Sequence, residues 1–214
     1  MSLDGKVCRM EPLDLDPGRY QGTYKLVGGQ PSLDLINTIS WPGTEREHDW
    51  LDPPANLTLW GQAVGLIDNA ARDRIDKSLE KSNGDARAQV ESVKSVRAIL
   101  RDAMMPLAMG EVPSPKAIRR LNQLLEQASR QRFIDPETLR WCWAPPTTVE
   151  GILAPVVWNA GEVMTSVDPH RLGRCPSCDW LFHDTTRNRS RRWCDMGDCG
   201  SRDKALRYYH RNKT

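Results

Sequence analysis

The sequence is poor in the features that mark membrane, secreted and catalytic chains. No run approaches about 18 consecutive apolar residues, so no segment is expected to cross a bilayer as a helix. Met1 to Tyr20 lack the basic start and apolar stretch of a secretory leader, and the expected compartment is the cytoplasm. A glycine-rich phosphate loop, a nucleophile-elbow serine and a histidine pair at metal spacing are all missing. The isolated Cys8 and Cys142 have no histidine nearby in sequence, so no enzymatic activity is expected. Repeats and low-complexity tracts are absent too. Net charge is only +2, from 30 Lys and Arg against 28 Asp and Glu. That small total hides an uneven distribution.

What is present is a globular composition: 214 residues, 39% of them hydrophobic, with eight tryptophans. Residues 171–214 hold eleven basic and five acidic side chains, an excess of six, which leaves residues 1–170 with an excess of four acids. Such asymmetry suggests two jobs, with the basic end facing a polyanion. Hydrophobic patterning is mainly helical. A short helix suits Leu33 to Ile39, although Leu33 and Leu35 alone also suit a strand, and Asn56 or Thr58 is placed to cap another helix carrying Trp60, Ala63, Val64 and Ile67. A long pattern runs from Asp85 through Val93, Val96, Leu100 and Met104, with Pro106 expected to kink or end it. Ser114-Pro115 is a cap followed by proline in the first turn, ahead of Ala117, Ile118, Leu121, Leu124 and Leu125. Leu139, Trp141 and Trp143 alternate like a strand, with Arg132 to Ile134 as hairpin partner. A last apolar helix opens near Thr148 and stops at Asp168-Pro169.

Four of the six cysteines fall between 175 and 199, as Cys175-x2-Cys178, fifteen residues, then Cys194-x4-Cys199. Zinc takes four thiolates tetrahedrally at about 2.3 Å, and ligands two to four residues apart converge from a tight turn. The cluster therefore predicts one structural Zn2+ held by Cys175, Cys178, Cys194 and Cys199, with the intervening stretch running out and back as a hairpin. Iron–sulfur ligation uses the same donors, but the spacing and basic surroundings favour zinc. With every coordination place filled by protein, hydrolysis at the metal is disfavoured. His183 and His210 are read as solvated or hairpin-packing side chains.

Arg187, Asn188, Arg189, Arg191 and Arg192 fall between the cysteine pairs, and Arg202, Lys204, Arg207 and Arg211 recur at near-helical spacing after the last one. A metal-stiffened platform carrying these side chains suits phosphates, so DNA is the expected partner. Three alternatives stay open: a face paired to its own aspartates, an RNA surface, and a protein-interaction or oligomerisation module. Dimerisation suits a small finger that reads few bases.

The stretch from Leu172-Gly173-Arg174-Cys175 through Asp179-Trp180-Leu181-Phe182-His183-Asp184 to Arg191-Arg192-Trp193-Cys194 and Cys199-Gly200-Ser201-Arg202 resembles the CGNR zinc finger of bacterial stress-induced transcription regulators. Ser201 stands where that family usually has asparagine. Gly28-Gly29-x-Pro31-x-Leu33-Asp34-Leu35-Ile36-Asn37-Thr38 resembles the opening of the helical ABATE domain that accompanies the finger. The resemblance implies a one-component regulator whose helical domain senses a small-molecule effector or protein partner. With the residue pattern, the expected architecture is mainly α with a small β-hairpin: a flexible arm over 1–22, where charges alternate and apolar residues are few, a helical domain over 23–168 ending at Asp168-Pro169, and a treble-clef-like zinc domain over 169–214. Asp34, Asn37 and Thr38 are polar residues in an apolar element and read either as a ligand-recognition edge or as loop braces. Trp41, Trp50, Trp60, Trp141, Trp143 and Trp158 suit either a pocket for a flat molecule or core.

Overall fold

The computed structural model describes residues 11–81 and 85–211; Cys8 and the first ten residues of the expected arm lie outside them. The elements in chain order are β1 (Pro12–Leu13), β2 (Tyr24–Lys25), α1 (Pro31–Ile36), β3 (Ile39–Ser40), β4 (His48–Asp49), α2 (Ala55–Ala63), α3 (Asn69–Lys81), α4 (Asp85–Ala108), α5 (Pro115–Ser129), β5 (Arg132–Ile134), β6 (Trp141–Trp143), α6 (Leu153–Ser166), β7 (Leu172–Arg174), β8 (Leu181–His183) and α7 (Ser201–Arg211). The architecture is mainly α. Among the described residues the strands form four separate two-stranded antiparallel pairs, where the sequence suggested fewer.

Helix α1 lies at the centre, and all six of its side chains are buried. Pro31 starts it, and Asn37 closes it with its amide on the Leu33 and Leu35 carbonyls. It rests against α6 and α4, and its C-terminal end meets β8. Gly28 makes the approach possible, because a Cβ there would lie 2.8 Å from the Leu33 Cβ and 2.9 Å from the Asp34 Oδ1. Helix α5 follows the sequence reading closely, with Ser114 Oγ accepting from the Ala117 amide at 3.2 Å.

Several elements depart from expectation. Helix α4 continues past Pro106 to Ala108. Its buried stripe is Val90, Val93, Arg97, Leu100, Ala103 and Met104, so Arg97 occupies a turn where Val96 was the expected apolar residue. Helix α2 is preceded by Pro54, and neither Asn56 nor Thr58 caps it. Helix α3 carries little sequence signal, because only Ala71, Ile75 and Leu79 of its thirteen residues are buried. Residues 12–22 are no loose arm: β1 pairs with β2, Leu15 is buried, and the Asn56 side chain both accepts from the Asp16 amide and donates to its carbonyl, each at 2.9 Å.

One hydrophobic core runs through both halves of the chain. It takes in Leu33, Trp50, Trp60, Leu100 and Val156 together with Leu172, Trp180, Leu181, Phe182 and the four clustered cysteines. Among the described residues no helix is long and apolar enough to cross a membrane.

Candidate metal centre and basic surface

Strands β7 and β8 flank the turn that carries the first cysteine pair. Their register pairs Arg174 with Leu181 and leaves Cys175 to Trp180 as the loop. That loop is closed by the Cys175 amide donating to the Trp180 carbonyl at 2.8 Å and the Asp179 amide donating to the Cys175 carbonyl at 3.0 Å. The hairpin is therefore wrapped around the knuckle. It does not lie between the cysteine pairs, as the spacing suggested.

Residues 184–194 return the chain as a loop organised by one side chain. The Asp184 carboxylate accepts from the Thr186 amide at 2.8 Å, the Thr186 hydroxyl at 2.6 Å and the Arg191 amide at 2.9 Å. Burial pushes its pKa up, but these donors and the Arg191 charge override that and hold the carboxyl low. Cys194 is then followed by a wide helical turn over Met196–Gly200, started by Asp195 accepting from the Gly197 amide at 2.7 Å. Cys199 sits in that turn, immediately before α7.

The four sulfurs lie within 4.8 Å of one another, and all four cysteines are buried. Cys178 Sγ is 3.4 Å from Cys194 Sγ, and Cys194 Sγ is 3.6 Å from Cys199 Sγ. These separations are too long for disulfides, and the thiols are free. A tetrahedron with sulfurs at about 2.3 Å from zinc has edges of about 3.8 Å, so the donor set fits the ion. The crowded sulfurs share their protons unequally: the mutual contacts push the Cys178 and Cys194 thiols up and the Cys175 and Cys199 thiols down, whereas a divalent ion favours the thiolate at all four. The four cysteines form a structural zinc site.

Arg191 is not a surface arginine. Its guanidinium donates to the carbonyls of Val27 at 2.7 Å, Cys194 at 2.5 Å, Trp193 at 3.2 Å and His183 at 3.3 Å, and lies 4.5 Å above the Phe182 ring. It staples the arginine loop to the zinc turn and to the N-terminal half. By contrast, Arg187, Asn188, Arg189 and Arg192 are exposed on the loop, and Arg202, Lys204, Arg207 and Arg211 on α7. Some of these have neighbours: Arg189 is 3.5 Å from Asp168, Arg207 is 2.8 Å from Asp203, and Arg192 lies over Trp193. These contacts are open to solvent and weak.

Asp34, Asn37 and Thr38 come together, but as braces. Asn37 Nδ2 donates to the Leu181 carbonyl at 2.8 Å while its Oδ1 accepts from the Leu181 amide at 2.7 Å, joining α1 to β8. Thr38 Oγ1 donates to Leu35 and accepts from Arg97, whose guanidinium also holds Asp49 at 2.6 and 2.8 Å. Asp34 Oδ1 accepts from the Gly28 amide at 2.7 Å, and its Oδ2 is buried with no partner. No ligand edge is left exposed, since all three residues are fully buried.

Sequence reasoning missed the side chains that bind the two halves together. Lys25 bridges Asp195 and Asp198 at 2.8 and 2.7 Å, and these bonds raise its pKa. Trp41 donates from its ring nitrogen to the Ser177 carbonyl at 2.8 Å, and Trp180 does the same to Ile39 at 3.0 Å. Nothing local marks such pairs, which lie about 140 to 170 residues apart.

A helical body fused to a treble-clef-like four-cysteine zinc finger defines the class. Comparison with known families agrees: residues 29–167 match the ABATE model, described as "Putative stress-induced transcription regulator", and residues 171–212 match the CGNR zinc finger. The first match covers more than half of the chain, which belongs to the ABATE family. No curated protein matches it.

Proposed function

We propose that the chain is a cytoplasmic DNA-binding transcription regulator that works without catalysis and whose N-terminal body takes an effector. The observation that carries this reading is the position of the exposed cations. Arg187, Arg189 and Arg192 lie on the loop between the cysteine pairs, and Arg202, Lys204, Arg207 and Arg211 on the helix that directly follows Cys199. Both elements adjoin the same zinc site, the loop running into Cys194 and the helix starting two residues after Cys199. Asn188 on the same loop suits a base edge.

If all seven cations meet phosphates, the logarithm of the binding constant should fall against the logarithm of salt with a slope of about −6. Raising salt fourfold then weakens binding by about a thousandfold or more. The test is a titration on duplex DNA at several salt concentrations, repeated with single-stranded RNA. Arg192→Ala and Lys204→Ala should each reduce the slope by about one, across all sequences. Association that ignores salt, or none with any DNA, sinks the reading; a preference for the RNA redirects it.

A second reading has its own observation. No side chain of α7 is buried, and Leu206, Tyr208 and Tyr209 are more than half exposed. A helix of eleven residues with no packed face is marginal in water, which favours a further partner along it, such as a second copy of the chain. Light scattering on the full chain and on Leu206→Glu separates the two readings: a dimer that dissociates on substitution supports the second.

A further inference from the structure

A cavity of about 340 Å³ opens where the N-terminal strands meet the zinc turn. Two of its walls are aromatic. The Tyr20 ring stands at 64° to Trp41 with centroids 5.8 Å apart, and at 86° to Trp50 at 5.5 Å. His48 stacks on one face of Tyr20 with centroids 4.7 Å apart, and Arg46 covers one face of Trp41, so a guest has only the opposite faces of these rings. A Cβ at Gly22 would run into the Tyr20 ring, so the glycine is what lets the tyrosine lie across this opening.

The remaining wall is electrostatic. Cys178, Cys194 and Cys199 line the cavity while Cys175 does not, so the metal centre turns one face towards it. Four thiolates on one zinc carry a formal charge of about −2. Asp195 and Asp198 add two negative charges, and Lys25 and Arg202 offset them. The cavity therefore keeps the net negative charge of the metal centre. Anions are disfavoured there, while a cation gains both from that charge and from the ring faces. The protein already places two of its own cations on this ring: the Arg46 guanidinium lies 4.3 Å from the Trp41 centroid, and the Arg202 guanidinium, which also lines the cavity, lies 5.9 Å from it.

We propose that this cavity binds a small organic cation of the alkylammonium class, with Arg202 as its competitor for the Trp41 face. The binding itself stands alone. Its consequence rests on the DNA-binding reading above: a cation that displaces Arg202 frees that side chain, at the start of α7, for a phosphate. Cation and DNA should then strengthen each other's binding by the same factor.

The experiment titrates choline into the zinc-loaded full chain without DNA, followed by tryptophan fluorescence. The controls are the neutral isostere, in which a tert-butyl group replaces the trimethylammonium, and benzoate. Choline should saturate, with both controls binding about tenfold weaker or worse. Trp41→Leu should lose about tenfold in choline affinity and Asp198→Asn several-fold, with zinc content checked in each. Arg202→Gln should bind choline several-fold more tightly, although it removes an exposed side chain and no contact with the guest. Equal binding of choline and isostere, weaker choline binding by Arg202→Gln, or no saturation overturns the proposal. A second titration on DNA with choline present reads the coupling. Absence of DNA binding there refutes the regulator reading and leaves the choline result intact, whereas failure of choline with DNA binding preserved refutes the cavity alone.

Discussion

Arg191 shows how one side chain can take on a role its sequence context disguises. It lies among exposed arginines, yet its guanidinium serves four backbone carbonyls and the Phe182 face. Arg191→Ala strands those carbonyls in a partly buried place, and the expected cost is about 2 to 4 kcal/mol in denaturant unfolding of the zinc-loaded chain. Arg192→Ala, a residue away and exposed, should change stability by less than about 0.5 kcal/mol. Asp34 makes a different prediction, for pH. Burial raises its carboxyl pKa to about 7, against the lowering effects of the Gly28 and Val27 amides and the Arg191 charge. The Tyr24 hydroxyl, itself raised well above its usual range by burial, donates to the Asp34 carbonyl and gives the carboxylate no help. Between the unfolded value of about 3.9 and about 7, the native state keeps a proton that the unfolded state has lost. Stability should therefore fall as pH rises through that window, by about 4 kcal/mol at most, and stay low above it. Denaturation midpoints of the zinc-loaded chain from about pH 5.5 to 8 check this, and Asp34→Asn should flatten the curve. Asp49 acts in the opposite sense: burial raises its pKa, but Arg97, the Leu51 amide and Lys94 together bring it down. Its contribution is lost only as pH drops through the acid range.

At the scale of elements, legibility follows how local the determining physics is. Helix α5 was readable because a proline in its first turn, a serine cap and a 3.6-residue stripe all lie within fifteen residues or so. The pairing of Arg132–Ile134 with Trp141–Trp143 was readable for a similar reason, a turn at Asp135-Pro136 between alternating runs. The zinc ligands were legible from spacing alone, since thiolates have few other uses at such separations. Helix α3 was not, because its face rests on three small or medium side chains among charges, and its start depends on Asp68 accepting from the Ala71 amide. The burial of Arg97 was equally hidden. A charged residue in an apolar stripe reads as a phase error until Asp49 and Thr38, about fifty and sixty positions upstream, are seen beside it. Residues 12–22 looked loose because their partners, Tyr24 with Lys25 and Asn56, are ordinary residues whose roles arise only in three dimensions.

Across the whole molecule, the two family matches abut, but the folded halves do not behave as beads on a string. Asn37 with Leu181, Arg191 with Val27, His183 with Gly28 and Lys25 with two zinc-turn aspartates all cross the junction, and the apolar core is continuous through it. Stripping zinc from the full chain should therefore loosen the helical body as well as the finger. Thermal unfolding followed by far-ultraviolet circular dichroism and by tryptophan emission should give one coincident transition, lowered by chelation. Two separated transitions, with only the smaller one moved by chelator, would show independent halves. The arrangement also bears on how the chain matures. Asn37 and the surrounding buried helix are made 144 residues before the strand position that satisfies them, and the shape of that strand's hairpin depends on a trace metal. A nascent polypeptide in a zinc-starved cell thus waits with an open flank, and supply of the ion sets how much finished protein survives.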